Sequence, residues 1–136
     1  MSRNTKSLRA PVVYALDFSA WKRSVVRQCF PHARVVFIND AAAVPDGGVL
    51  AVWGMKPFGN ELSKNVSVLR LEDGFLRSVG LGADLIRPMS WVVDGRGIYY
   101  DATRPSDLEH LLSGNSFDAA LLQRAARLRQ RIVAEG

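Results

Sequence analysis

The sequence has one cysteine, Cys29, so no disulfide can form within the chain and a Cys-x-x-Cys metal site is excluded. Two histidines, His32 and His110, are too few for a zinc site. No apolar run approaches the roughly 20 residues that cross a bilayer. Met1 to Pro11 is polar and basic without an apolar h-region, so no secretory signal is expected there. Internal repeats, long low-complexity stretches, a nucleophile–base–acid arrangement and an aspartate cluster of the Mg²⁺–phosphate kind are also missing. At 136 residues the sequence is one domain's worth, too short for two sheets facing a cleft. A reducing cytoplasm is the expected compartment.

What is present is an ordinary globular composition. Hydrophobic residues make up 48% and charged residues 23%, enough apolar sequence to bury a core and to argue against disorder. The formal net charge of +5 is unevenly placed: residues 1–34 carry seven basic side chains against Asp17 alone, or +6, and the remainder sums to −1. This basic head suits phosphates or an anionic membrane surface, or else is a solvated tail plus the outer face of one helix. A nucleic-acid partner is not expected, because the charge is not spread along a groove and the aromatics lie mainly in apolar strands. Residues 1–10 read as a basic polar tail and residues 11–136 as a single α/β domain.

Val12–Leu16 is a compact, valine-rich run typical of a buried strand. Phe18, Trp21, Val25, Val26 and Cys29 recur at spacings of three and four, with Lys22, Arg23 and Arg27 on the other side. That pattern predicts an amphipathic helix, capped by Asp17 or Ser19 and ended by Pro31. Arg34–Ile38, Val49–Trp53 and Val66–Leu71 read as further strands, with a turn at Pro45-Asp46-Gly47-Gly48. Continuous apolar strands of this kind favour a mostly parallel sheet flanked by helices, an α/β fold. Trp91–Asp94 and Ile98–Asp101, on either side of Gly95-Arg96-Gly97, predict a β-hairpin. Ser106 and Glu109 have the capping-box spacing and open a helix through Leu112. A final helix is expected from about Phe117 to Ala134, with Leu121, Leu122, Ala125, Leu128 and Ile132 on one side.

The stretch from Arg70 to Ser78 carries the most chemistry. It starts in an apolar strand and breaks into charge at the strand's end, where open α/β sheets bind ligands. Glu72 or Asp73 could bind sugar hydroxyls or act as a general base, and Arg70 and Arg77 could hold an anion by paired hydrogen bonds. The same four charges could equally form an internal salt-bridge cluster. Gly74 would permit a sharp turn or a close approach to a ligand. Lys56 and Arg87 could face the same cleft or plain solvent, and Arg104 is a polar end of the expected hairpin. One of Tyr99 and Tyr100 is expected in the core and the other more exposed. Trp53, Trp91 and Cys29 read as core residues, and His32 and His110 as surface. Gly80-Leu81-Gly82 is a flexible or tightly turned segment rather than a phosphate loop.

Three blocks together resemble a known family. Val52-Trp53-Gly54 with Lys56-Pro57, Leu69 to Gly82 (LRLEDGFLRSVGLG), and Gly97 to Glu109 (GIYYDATRPSDLE) are similar to the bacterial capsule-polysaccharide β-Kdo transferases of the KpsC kind. The likeness covers residues from about 49 onward; residues 1–48 match in style only. It implies a Rossmann-like half of a GT-B arrangement. The family's activity is retaining transfer of Kdo, an acidic eight-carbon sugar, from CMP-Kdo to a glycolipid linker at the cytoplasmic face of the inner membrane. On this resemblance Glu72, Asp73 and Arg77 line the cleft; together with Arg70, Lys56, Arg87 and Arg104 from the residue pattern they are the acceptor-binding candidates, with Glu72 and Asp73 assisting. The family's Asp-rich motif, Lys-x-His-Pro motif and glycine-rich donor half have no counterpart among these residues, and the stretch from Lys56 to Val66 looks shortened. The expectation is therefore an acceptor-side domain that binds a glycolipid or Kdo-containing oligosaccharide, holds no cofactor and does not transfer Kdo alone. The alternative is a non-catalytic binding module for an acidic glycan.

Overall fold

Runs of β-branched and apolar residues become strands, and their shortness keeps the sheet compact. A computed structural model describes residues 10–59, 62–78, 86–114 and 116–135. Among these, β1 (Val12–Leu16), β2 (Arg34–Ile38), β3 (Val49–Trp53), β4 (Ser67–Asp73) and β5 (Trp91–Asp94) form one sheet in the order β2-β1-β3-β4-β5. The first four run parallel and β5 pairs antiparallel with β4. Strands β1, β2 and β3 have the expected bounds, and β4 runs two residues beyond Leu71, so Glu72 and Asp73 lie within it.

Side chains alternate between the faces, so each strand feeds two cores. Val13, Ala15, Ala51 and Leu71 pack with Phe18 and Val26 on the face covered by helix α1 (Arg23–Cys29). Leu16, Leu50 and Val52 pack with Ala41 and Val44 on the other, where Phe58, Leu62 and Val68 join them. Trp53 and Trp91 meet edge to face, centroids 4.9 Å apart, at the border of the first core. Cys29 is half-buried, which pushes its thiol pKa up through desolvation.

The expected helix over residues 18–29 is instead a 3₁₀ turn at Ala20–Lys22 followed by α1. Neither expected cap operates. Ser19 makes no side-chain cap bond, and Asp17, at φ 55°, gives its carboxylate to Lys56. The antiparallel β4–β5 pair is the hairpin element of the fold, but Ile98–Asp101 is not its second strand. Asp94 Oδ1 accepts from the amides of Arg96 and Gly97, and Asp101 N–H donates to the Ile98 carbonyl, so the chain coils away from the sheet while Ile98 is fully buried. Helix α2 (Asp107–Gly114) starts from a closed capping box: Ser106 N–H donates to Glu109 Oε2 at 2.7 Å and Glu109 N–H to Ser106 Oγ at 3.1 Å. Helix α3 (Ala119–Glu135) forms close to its expected span, but none of its described residues is buried.

Candidate functional site

The carboxyl ends of parallel strands share one rim, and this rim gathers several of the charged residues that end the strands. Trp53 of β3 pairs with Leu71 of β4, so Glu72 and Asp73 stand past the end of β3 and are backed only by Val92 and Trp91 of β5. The chain leaves β1 at Asp17, whose carboxylate takes a hydrogen bond from Lys56 Nζ at 2.9 Å. It leaves β3 at Gly54, at φ 51°, whose N–H donates to the Leu71 carbonyl at 2.7 Å.

Alternation then divides the four central charges. Asp73 lies on the α1 face with Leu71. Its carboxylate binds Arg77 Nε at 2.7 Å, and Arg77 also donates to Ser78 Oγ and the Ile86 carbonyl. Arg77 is thus a strut tying the strand end to the loop that follows it. Arg70 and Glu72 project from the opposite face. Arg70 donates to the Gly54 carbonyl at 2.7 Å, and its guanidinium lies 5.6 Å from the centre of the Phe58 ring. Glu72 Oε2 accepts from Tyr100 Oη at 3.2 Å, and its Oε1 accepts from the Asp73 amide at 3.0 Å. A carboxylate has about four acceptor sites, so Glu72 retains capacity for a sugar hydroxyl or its proton. Tyr100 is 49% exposed beside it; desolvation, then the charge of Glu72, raises its phenol pKa and keeps the donor protonated.

Lys56 reaches the rim through Asp17. Arg87 does not: it donates to Ser24 Oγ at 3.2 Å, on α1. Arg104 sits in the loop after β5, 3.7 Å from Asp101. The close approach at Gly74 is to the protein itself, since its N–H donates to the Ser90 carbonyl and a Cβ there would strike the Ser90 side chain. Tyr99 is half-buried and donates to the Asp73 carbonyl. Gly80-Leu81-Gly82 and the basic residues Arg3, Lys6 and Arg9 lie outside the described residues.

Lys22 belongs to this rim although the pattern set it on the solvent side of a helix, and Tyr100 is the more exposed of the two tyrosines. Helical spacing puts Lys22 on the solvent side, but the 3₁₀ turn advances about 120° per residue instead of 100° and swings it inward. Its Nζ rests 3.2 Å from the centre of the Trp53 ring. Desolvation lowers its pKa, opposed by the charges of Asp73 and Glu72. The interruption at Asp17 and Ser19 was the available signal.

Gly54 holds Glu72 and Tyr100 together by having no side chain. A Cβ would stand 2.8 Å from Tyr100 Oη and 2.9 Å from Glu72 Oε2. Gly54→Ala is expected to cost about 1–2 kcal/mol in urea unfolding from the left-handed backbone alone, and to break the tyrosine–carboxylate bond. A second expectation concerns acid. The hydroxyl of Thr103, then its amide, hold the Asp101 carboxyl below the usual carboxylate range. The unfolded chain therefore binds this proton first, and Asp101 contributes stability at neutral pH that is lost as pH falls through about 4 and below. Unfolding midpoints across that range should fall less steeply in Asp101→Asn.

These features define an α/β domain with a charged, aromatic-lined rim at the carboxyl ends of its parallel strands. Residues 60–135 match the family described as Capsule polysaccharide biosynthesis protein, and the chain belongs to that family. It is 34% identical over 146 residues to the capsule polysaccharide modification protein LipA of Neisseria meningitidis serogroup B, covering 98% of this chain and 20% of that protein. It is 35% identical over 143 residues to the lipopolysaccharide-processing protein LpsZ of Rhizobium meliloti, covering 93% of this chain and 32% of that one. The structure of Thermosulfurimonas dismutans KpsC, beta Kdo 2,7 transferase, superposes with a TM-score of 0.66 at 38% identity, over 85% of this chain and 40% of that chain. The chain thus spans between a fifth and two fifths of these relatives' lengths. The likeness to LipA also takes in most of residues 1–48, which the motifs alone left out.

Proposed function

We propose that this chain is the acceptor-side part of a capsule β-Kdo transferase, holding a glycolipid or Kdo-bearing oligosaccharide at the rim while CMP-Kdo is bound by a separate donor-side part. The observation that carries this reading is the Glu72 carboxylate at the open end of β4, with Tyr100 as a donor beside it and acceptor sites to spare. That pair suits sugar hydroxyls, and the half-exposed Tyr100 ring adds aromatic surface at the same rim. The likeness to KpsC, a beta Kdo transferase, supports the same substrate class. Glu72 is the group we assign to receive a proton from, or orient, an acceptor hydroxyl; Asp73, held by Arg77, positions the strand end. On the same reading the chain works at the cytoplasmic face of the inner membrane. No helix among the described residues is long and apolar enough to cross a membrane.

Titration of the chain with a Kdo-bearing glycolipid, read by amide chemical shifts over residues 70–78, should show saturable changes. Glu72→Gln should weaken binding about tenfold, the effect of losing one charge-assisted hydrogen bond. Undiminished binding in Glu72→Gln would show that the acceptor sits elsewhere. The second reading, a non-catalytic module for acidic glycans, is favoured by the extent to which Asp73 and Arg77 are already committed to each other. Release of CMP from CMP-Kdo separates the two: the chain alone should release none, and adding a donor-side part should restore release only if the first reading holds.

A further inference from the structure

On the Arg70 face of the sheet lies a recess of about 190 Å³, lined by Phe58, Arg70, Asp94, Arg96, Gly97 and Arg104 among others. A water's share of liquid volume is about 30 Å³, so the recess is the size of one small acidic head group with some of its hydration. We propose that Arg70, Arg96 and Arg104 form an anion-binding pocket, distinct from the Glu72–Tyr100 pair, that takes the carboxylate or phosphate of an acidic sugar. This deepens the acceptor-side reading and rests on it only for the identity of the anion.

Arg70 is the centre of the argument. It is half-buried, its single hydrogen bond goes to the neutral Gly54 carbonyl, and it has no ion-pair partner among the described residues. A guanidinium cannot shed its charge at ordinary pH, and a half-buried one is stabilised further by an anion in direct contact. One N–H is used, which leaves about four donors in a planar fork suited to a bidentate oxyanion.

Two acids lie near Arg70 without forming an ion pair with it: Asp101, whose carboxyl pKa the Arg70 charge helps to lower, and Asp94, which lines the recess. Asp94 is 1% exposed, and its oxygens are already taken by the amides of Arg96, Gly97 and Asp107, at 2.8, 2.8 and 2.9 Å. Those bonds shape the loop that carries Arg96. The other two guanidiniums are carried on side chains more than half exposed. Arg96 pairs with Asp107 at 2.9 Å and Arg104 with Asp101 at 3.7 Å, and the arginines are 53% and 55% exposed. The Arg96–Asp107 pair, exposed on both sides, is worth little, so Arg96 is free to turn toward an anion that Arg70 holds; Arg104 stands 3.7 Å from Asp101, whose side chain is 9% exposed, a loose contact that leaves most of its donors for the anion.

The test is a low-salt titration of the 136-residue chain with the methyl glycoside of Kdo and, separately, with inorganic phosphate, read at the amides of Gly95 and Gly97. Saturable shifts are expected with at least one anion. Arg70→Gln should weaken that binding tenfold or more, and Arg96→Gln and Arg104→Gln severalfold each. Tighter binding of the Kdo glycoside identifies a carboxylate pocket, and tighter binding of phosphate a phosphate pocket. The absence of saturable shifts with either anion would overturn the proposal, as would wild-type affinity in all three variants. Should circular dichroism show Arg70→Gln unfolded, the Arg96→Gln/Arg104→Gln double variant decides by the same criterion. Glycolipid binding that is lost in Glu72→Gln but unchanged in the arginine variants would sink the pocket and leave the rim reading standing. Anion binding without glycolipid binding would do the reverse.

Discussion

Asp94→Ala is expected to lower the unfolding free energy by about 3 kcal/mol or more, taking hydrogen bonds to a charged group at roughly 1.5–3 kcal/mol each and allowing for non-additivity. The carboxylate is 1% exposed and accepts three backbone hydrogens, from Arg96, Gly97 and Asp107. Alanine removes the acceptor and leaves those donors to find others. The Asp107 amide lies in the first turn of α2, so the same carboxylate ties the edge strand to that helix; the capping box of Ser106 and Glu109 then serves the next donors. Asp94→Asn keeps one carbonyl oxygen and should lose roughly half as much. Urea unfolding read by far-ultraviolet circular dichroism measures both. A loss under about 1 kcal/mol for alanine would mean that the loop re-pairs its amides with water and that Asp94 does not organise it.

The second large effect is expected at Leu71. It is fully buried in β4, between the two carboxylates of the rim and the core beneath them. Leu71→Ala removes three methylene-sized groups and opens a cavity against Val13, Ala51 and Phe18, at a cost of about 2–5 kcal/mol. Leu112→Ala on α2, at 63% exposure, is the contrast and should change stability by less than about 0.5 kcal/mol. Both are read from urea midpoints at constant slope. Equal effects would place the core elsewhere. The loss at Leu71 also has a functional side, because Glu72 and Asp73 are aimed by the strand that Leu71 anchors.

The fold class was legible because buried parallel strands need continuous apolar runs, and Val12–Leu16, Arg34–Ile38 and Val49–Trp53 are such runs. The capping box at Ser106 and Glu109 was legible for a similar reason, since both partners lie within one turn. Ile98–Asp101 was misread because its alternation fits a strand, while the force that coils it comes from Asp94 outside the run. Lys22 was misplaced because helical spacing assumes one helix where a 3₁₀ turn precedes another.

For the site, the sequence by itself determined which charges exist and that Glu72 and Asp73 end an apolar strand. Whether those charges act together was decided only in three dimensions. The two-residue repeat of β4 sends Asp73 toward Arg77 and turns Arg70 and Glu72 to the other face, where loops distant in sequence meet them: Phe58 and Gly54 from one side, Arg96, Tyr100 and Arg104 from the other. Local patterning sees along one element, and a pocket is made between elements.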